Sequence, residues 1–322
     1  MPLLRTNYKP SIIFKSGFIS TVYSGLIRHL KISQVRERIY LSDGDFLDLD
    51  WSYSNISTKK VAIILHGMEG NAQRPYVSGV ARYLNLNHYD AICVNFRGCS
   101  GAKNNKFFSF HSGQSNDLAE VIDHVLEKYS YKFIYLKGIS LGGNIVLKYL
   151  GETLAIPTQI KAAMAVSTPV DILSSSKELH RFKNYLFHIY FMIGLKFKLK
   201  QKQLQFPNKI SRLSLWRIWT LRSFDELYTS RANGFKNAAD YYDKSNSLQY
   251  LPKINIPVLI LNALNDSFLT ETCYPYIIAE ENPFIHLETP KYGGHVGFIL
   301  PGKVYYNELR AVEFFQNSNK FL

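Results

Sequence analysis

The sequence predicts an α/β fold: a mostly parallel, eight-stranded sheet flanked by helices, with a helical cap inserted into it. Three observations carry this expectation. Short, continuous apolar runs recur along the chain, helix-length segments separate them, and one long stretch interrupts the alternation. Continuous runs fit strands buried on both faces. Strands separated by helices imply right-handed crossovers between parallel neighbours.

The elements follow in order. Arg38 to Leu41 and Phe46 to Trp51 flank Ser42-Asp43-Gly44-Asp45, a Gly-containing loop that reads as a hairpin. Val61 to Leu65 and Asp90 to Phe96 are β-rich runs that end in His66-Gly67 and Arg97-Gly98. Phe133 to Leu136, Ala162 to Val166, Val258 to Leu261 and Phe284 to Leu287 continue the series. Helix-length segments are Tyr76 to Asn85, Gln114 to Lys128, Leu141 to Leu150 and Val304 to Gln316. Between about Asp171 and Leu251 no strand is legible, and Pro207 divides a stretch rich in Lys, Arg, Phe, Tyr and Trp. Residues 1–322 therefore read as one domain, with 172–250 as a helical cap within it. A cap at the carboxyl ends of the strands lies over the crevice where open α/β sheets bind ligands.

Composition narrows the classes. Hydrophobic residues are 46% and charged residues 20% of 322, which excludes general disorder. The net charge is +13, but Lys177 to Arg222 carries a net +10 by itself. The charge belongs to the cap, where it suits peripheral contact with an anionic membrane or a solvated surface. No nucleic-acid-binding motif organises it, so nucleic acid is not an expected partner. Three cysteines, Cys93, Cys99 and Cys273, make no even disulfide framework and suit a reducing compartment. The N-terminus has no basic stretch leading into an apolar one, and Lys9 and Lys15 interrupt it. No signal peptide is expected, and the expected location is cytoplasmic. The least polar run, Tyr185 to Leu195, is too short to span a bilayer.

Gly138-Ile139-Ser140-Leu141-Gly142 is a G-x-S-x-G sequence placed between an apolar run and a helical one. A tight strand-to-helix turn of this kind presents the serine hydroxyl above the sheet, at a helix N-terminus that favours developing negative charge. A serine hydroxyl needs a base, and the base an orienting acid. With chain order Ser, acid, His, the loop after Val258–Leu261 supplies Asp266 and the loop after Phe284–Leu287 supplies His295. Two backbone N–H groups would form an oxyanion hole: Leu141, after the nucleophile, and Met68, in the loop after Val61–Leu65. His66 reads as a structural residue of that loop. Arg97 reads as a loop anchor, and His111 and Asp117 as a loop residue and a helix first-turn acid. Phe182, Tyr185, Phe187, Tyr190, Phe191, Trp216 and Trp219 either line an acyl channel or pack the cap. No H-E-x-x-H, C-x-x-C or Walker sequence occurs, so neither metal nor cofactor is expected.

These blocks resemble the YheT-like branch of the α/β-hydrolases, the AB hydrolase 4 family. The resemblance is carried by TVYSGLIR (21–28), RERIYLSDGDFLDLDW (36–51), HGMEGN (66–71), NFRGCSG (95–101), HSGQSNDL (111–118), KGISLGGNIVLKYLGE (137–152), NALNDSF (262–268) and GGHVGF (293–298). It spans nearly the whole chain and is weakest over the cap. It implies the α/β-hydrolase fold, with Ser140 as nucleophile, Asp266 as acid and His295 as base, in agreement with the reading from chain order. Ser267 departs from the family, which often has Pro after the acid.

The expected activity is cleavage of small-molecule carboxylic esters, with short- to medium-chain acyl or lipid-like groups, through an acyl-enzyme. Transfer of the acyl group to an alcohol uses the same residues. A non-catalytic membrane-surface module is the reading that the basic cap alone would favour. Nothing in the sequence specifies an oligomeric state.

Overall fold

A computed structural model describes residues 3–318. Its sheet contains nine strands: β1 (Leu3–Leu4), β2 (Val35–Tyr40), β3 (Phe46–Ser52), β4 (Lys60–Leu65), β5 (Asp90–Asn95), β6 (Phe133–Ile139), β7 (Ile160–Val166), β8 (Val258–Leu261) and β9 (Ile285–Glu288). Their order is β1-β9-β8-β7-β6-β4-β5-β3-β2. β2 and β3 are antiparallel, β3 is antiparallel to β5, and all other pairings are parallel. The ninth strand, beyond the eight expected, is β1. Two residues are too few to show a period, and Leu3–Leu4 is a strand only because it pairs with Leu287 and Glu288.

The helices are α1 (Gly17–Val22), α2 (Pro75–Leu86), α3 (Ser115–Lys128), α4 (Leu141–Glu152), α5 (Ile172–Leu179), α6 (Tyr185–Gln205), α7 (Arg212–Trp216), α8 (Leu221–Phe224), α9 (Ser230–Ala232), α10 (Ala238–Ser245), α11 (Tyr276–Glu281) and α12 (Tyr306–Asn317). Pro75 opens α2 at a position whose N–H has no intrahelical partner. Pro207 follows α6 by two residues and prevents its continuation.

Alternation within each strand builds two cores. In β4, Val61, Ile63 and Leu65 face the layer of α3 and α4, while Ala62 and Ile64 face the layer of α2 and α12. Both sides are covered, which is why these strands read as unbroken apolar runs. Between β7 and β8 the chain forms α5 to α10. Leu179, Met192, Leu195, Leu199 and Phe224 make a third apolar cluster there, which meets the main fold at Phe268 and Met68.

One buried ionic cluster fixes the β2–β3 hairpin loop and the loop after β5. Arg97 donates to both carboxylate oxygens of Asp117 at 2.8 Å and to Asp43 and Asp45 at 2.8 and 3.2 Å. It is the anchor that the sequence suggested, and Asp117 sits in the first turn of α3. Removing one partner of a buried pair leaves an uncompensated charge. Arg97→Met should therefore cost about 3–5 kcal/mol of stability, measured as a fall in the urea unfolding midpoint. A loss within the surface-pair range of about 1 kcal/mol would contradict this role.

Candidate functional site

The site forms where β6, β8 and β9 end. Ser140 stands between β6 and α4 with φ 55° and ψ −121°, outside the ordinary basins for a side-chain-bearing residue. Its amide donates to Val166 O at 2.8 Å, and its carbonyl accepts from Gly143 N at 2.9 Å. The turn closes only because Gly142 has no side chain: a Cβ there would lie 2.6 Å from the carbonyl oxygens of Leu65 and His66.

Asp266 and His295 reach this serine from later loops. His295 Nδ1 lies 2.7 Å from Asp266 Oδ2, and Nε2 lies 2.8 Å from Ser140 Oγ. A carboxylate accepts, so Nδ1 carries the proton and Nε2 is left to accept from the hydroxyl. Asp266 and His295 are both buried. The Phe268 amide donates to Asp266 Oδ1 at 2.9 Å, and the Phe268 ring lies 4.4 Å from the imidazole. Gly294, at φ 57°, lets the histidine loop pass close to α1, where a Cβ would sit 2.3 Å from Gly17 O.

That contact with α1 went unread in the sequence. Thr21 Oγ1 accepts from His295 N at 2.9 Å, and Ser24 Oγ donates to Val296 O at 2.8 Å. Both belong to the block TVYSGLIR, whose resemblance to the family was the one available signal. Ser267 is likewise structural. Its hydroxyl donates to Asn184 Oδ1 at 2.6 Å while Asn184 Nδ2 donates to Ser267 O at 2.7 Å, tying the acid loop to the start of α6.

The loop after β4 forms the opposite wall. His66 is fully buried, its Nδ1 donating to Gly67 O at 2.7 Å and its Nε2 accepting from Phe96 N at 3.3 Å. Burial pushes its pKa down to about 3, so the ring stays neutral, as those two bonds require. Glu69, at φ 54°, accepts from Lys198 Nζ of α6 at 2.9 Å. Met68 and Leu141 both line the space above Ser140. As the first residue of α4, Leu141 has an N–H without an intrahelical acceptor.

Two cavities meet at Ser140 and His295. The larger, about 410 Å³, lies under α5, α6 and α8. The smaller, about 270 Å³, lies between α1 and α6 and is lined chiefly by apolar side chains. Of the seven cap aromatics named from the sequence, Phe187, Tyr190 and Phe191 line the smaller cavity, whereas Phe182, Tyr185, Trp216 and Trp219 face outward. The last four therefore neither line a channel nor pack a core. Helical spacing identifies a face but not its direction. His111, at the larger cavity, is a half-buried neutral ring that accepts from Gly113 N at 3.1 Å. Among the described residues no group of three or more His, Cys, Asp or Glu is placed to hold a metal ion, and no helix is long and apolar enough to cross a membrane.

Asp225 lies at the larger cavity and accepts from Thr229 Oγ1 at 2.7 Å and Tyr242 OH at 2.8 Å. Burial raises its pKa to about 6, against 3.8 ordinarily. The folded chain therefore holds a proton that the unfolded chain has lost between about pH 4 and 6. The stability contribution is complete below pH 4 and is lost as pH rises through 6. Relative to Asp225→Asn, the wild-type chain should lose roughly 2–3 kcal/mol across that window, measured by urea unfolding at each pH. A difference that is constant with pH would refute it.

Comparison with known proteins agrees with this fold. Residues 61–300 match the family model for the alpha/beta hydrolase fold. The chain is 29% identical over 291 residues to "Putative esterase YheT" of Escherichia coli, covering 89% of this chain and 85% of that one. It is 27% identical to Phospholipase ABHD3 of Bos taurus, covering 92% and 74%. Among solved structures, the Pyrococcus furiosus esterase Pf2001 superposes with a TM-score of 0.58 at 17% identity, covering 90% of this chain and 91% of that one.

Proposed function

The chain belongs to the α/β hydrolase fold family, and from that premise we propose that it hydrolyses carboxylic esters through Ser140, His295 and Asp266. The observation that carries this reading is the continuous hydrogen-bonded relay from Asp266 through His295 to Ser140, at 2.7 and 2.8 Å, at the junction of two cavities. The esterase and phospholipase names of the relatives point to the same chemistry.

His295 Nε2 takes the Ser140 proton as Oγ attacks the acyl carbon. Asp266, buried and already bonded to Nδ1, holds the imidazole in the productive tautomer and stabilises the imidazolium. The N–H groups of Met68 and Leu141 receive the developing oxyanion. His295 returns its proton to the leaving alcohol, and the acyl group stays on Ser140. Water, deprotonated by His295, then releases the acid. The two cavities accommodate the two sides of the ester, so substrates with apolar groups on both sides of the carbonyl fit best.

A fluorophosphonate probe should label the wild-type chain at Ser140 and leave Ser140→Ala unlabelled. Ester turnover should fall by on the order of 10³-fold or more in Ser140→Ala, and about 10⁴-fold in Asp266→Asn, where the tautomer is lost. Undiminished labelling of Ser140→Ala would reject the assignment.

A further inference from the structure

Helix α6 has an outward apolar stripe that none of the described residues covers. Leu186, Ile189, Ile193, Phe197 and Leu204 recur at helical spacing, and Ile193 and Leu186 are 66% and 65% exposed. About three turns of apolar surface from Leu186 to Phe197, resumed at Leu204, exceed the scattered exposure expected of a soluble surface. The patch continues to either side. Lys196 Nζ lies 4.6 Å over the ring of Trp219, which is 67% exposed, and the Phe18 ring of α1 lies 5.3 Å from Phe187. The same segment, Lys177 to Arg222, holds the net +10, and Lys200, Lys209, Arg212 and Arg217 are exposed there.

From this apolar stripe within a basic, Trp-bearing segment we infer that the α6 face docks on an anionic lipid bilayer, lying in its interface. An apolar helix face with aromatic and basic residues is the composition of interfacial helices. The basic charge complements anionic headgroups, which attract each nearby Lys or Arg and are screened by salt. A neutral partner would leave that charge unanswered. The α6 helix cannot span instead, because Lys196, Lys198, Lys200 and Lys202 interrupt it.

The docked orientation also serves the site. Phe18, Leu26, Leu186 and Tyr190 are exposed apolar or aromatic residues, and all four line the smaller cavity, whose floor is Ser140 and His295. The cavity thus opens where the bilayer would lie and admits an acyl chain directly from it. This route rests on the ester-hydrolase reading, whereas the docking itself does not.

Sedimentation with vesicles separates the two. The probes are phosphatidylcholine vesicles and phosphatidylcholine vesicles containing one-third phosphatidylglycerol. Ser140→Ala should sediment with the anionic vesicles as well as the wild-type chain does, and less as sodium chloride rises. Lys200→Glu should lower partitioning about fivefold or more, and Ile193→Glu should abolish it. Ile193→Glu should also reduce turnover of a vesicle-embedded ester while leaving a soluble short-chain ester unaffected. Equal sedimentation with neutral and anionic vesicles, indifference to both substitutions, or dimerisation through this face without vesicle capture would overturn the docking. Normal docking with an inactive wild-type chain would instead count against the ester-hydrolase reading.

Discussion

The backbone at Ser140 is the constraint around which the site is assembled. Its dihedrals cost on the order of 1–3 kcal/mol and persist only where the surroundings over-determine them. Here they do: the amide is bonded to β7, the carbonyl to the first turn of α4, and Gly142 packs against the carbonyls of Leu65 and His66. Five of the six positive-φ residues other than glycine among the described residues, Glu69, Ser140, Ser167, Val296 and Phe298, lie in the loops around this serine. Only His88 is elsewhere. The fold's backbone strain is therefore concentrated at one end of the sheet, where the hydrogen bonds that hold it also aim the reacting groups.

Those loops are held from outside the sheet. The histidine loop is tied to α1 through Thr21 and to the turn that follows α1 through Ser24, residues more than 270 positions away in sequence. The loop carrying Met68 is gripped by α6: Lys198 pairs with Glu69, and Arg74 joins Tyr190 OH to Glu69 O at 2.7 and 3.2 Å. The cap is in this sense part of the site's framework as well as its cover.

The positions of the buried strands were legible because burial on both faces leaves a continuous apolar run; β8 begins and ends where the residues alone place it, at Val258 and Leu261, whereas β6 runs three residues past the expected Leu136. Ser140, Asp266 and His295 could be chosen because each follows such a run in a fixed chain order, and the structure brings all three within hydrogen-bonding distance. Other features had no local signature. The pairing of Leu3–Leu4 with β9 and the bonds from Thr21 and Ser24 depend on tertiary proximity. The same is true of the cap aromatics, whose spacing is equally compatible with facing a cavity or facing solvent. Ser267 illustrates the limit: its difference from the family is visible in the sequence, but its reciprocal bonds to Asn184 are not.

The cap's charge can now be divided by what each side chain touches. Lys198 is turned inward onto Glu69 and Cys99, and Lys202 donates to the carbonyls of Asn104 and Lys106. Arg181 and Lys183 share Glu178. These residues join the cap to the loops beneath it or neutralise Glu178, the one acid between Lys177 and Arg222, and they add little to the field at the surface. The charge that a surface partner would meet comes from the remainder, chiefly Lys200, Lys209, Arg212 and Arg217, which lie along α6 and the segment after it. A run of basic residues in sequence is thus two populations in space, and only the outward one shares a surface with the uncovered apolar stripe of α6 and with Trp216 and Trp219.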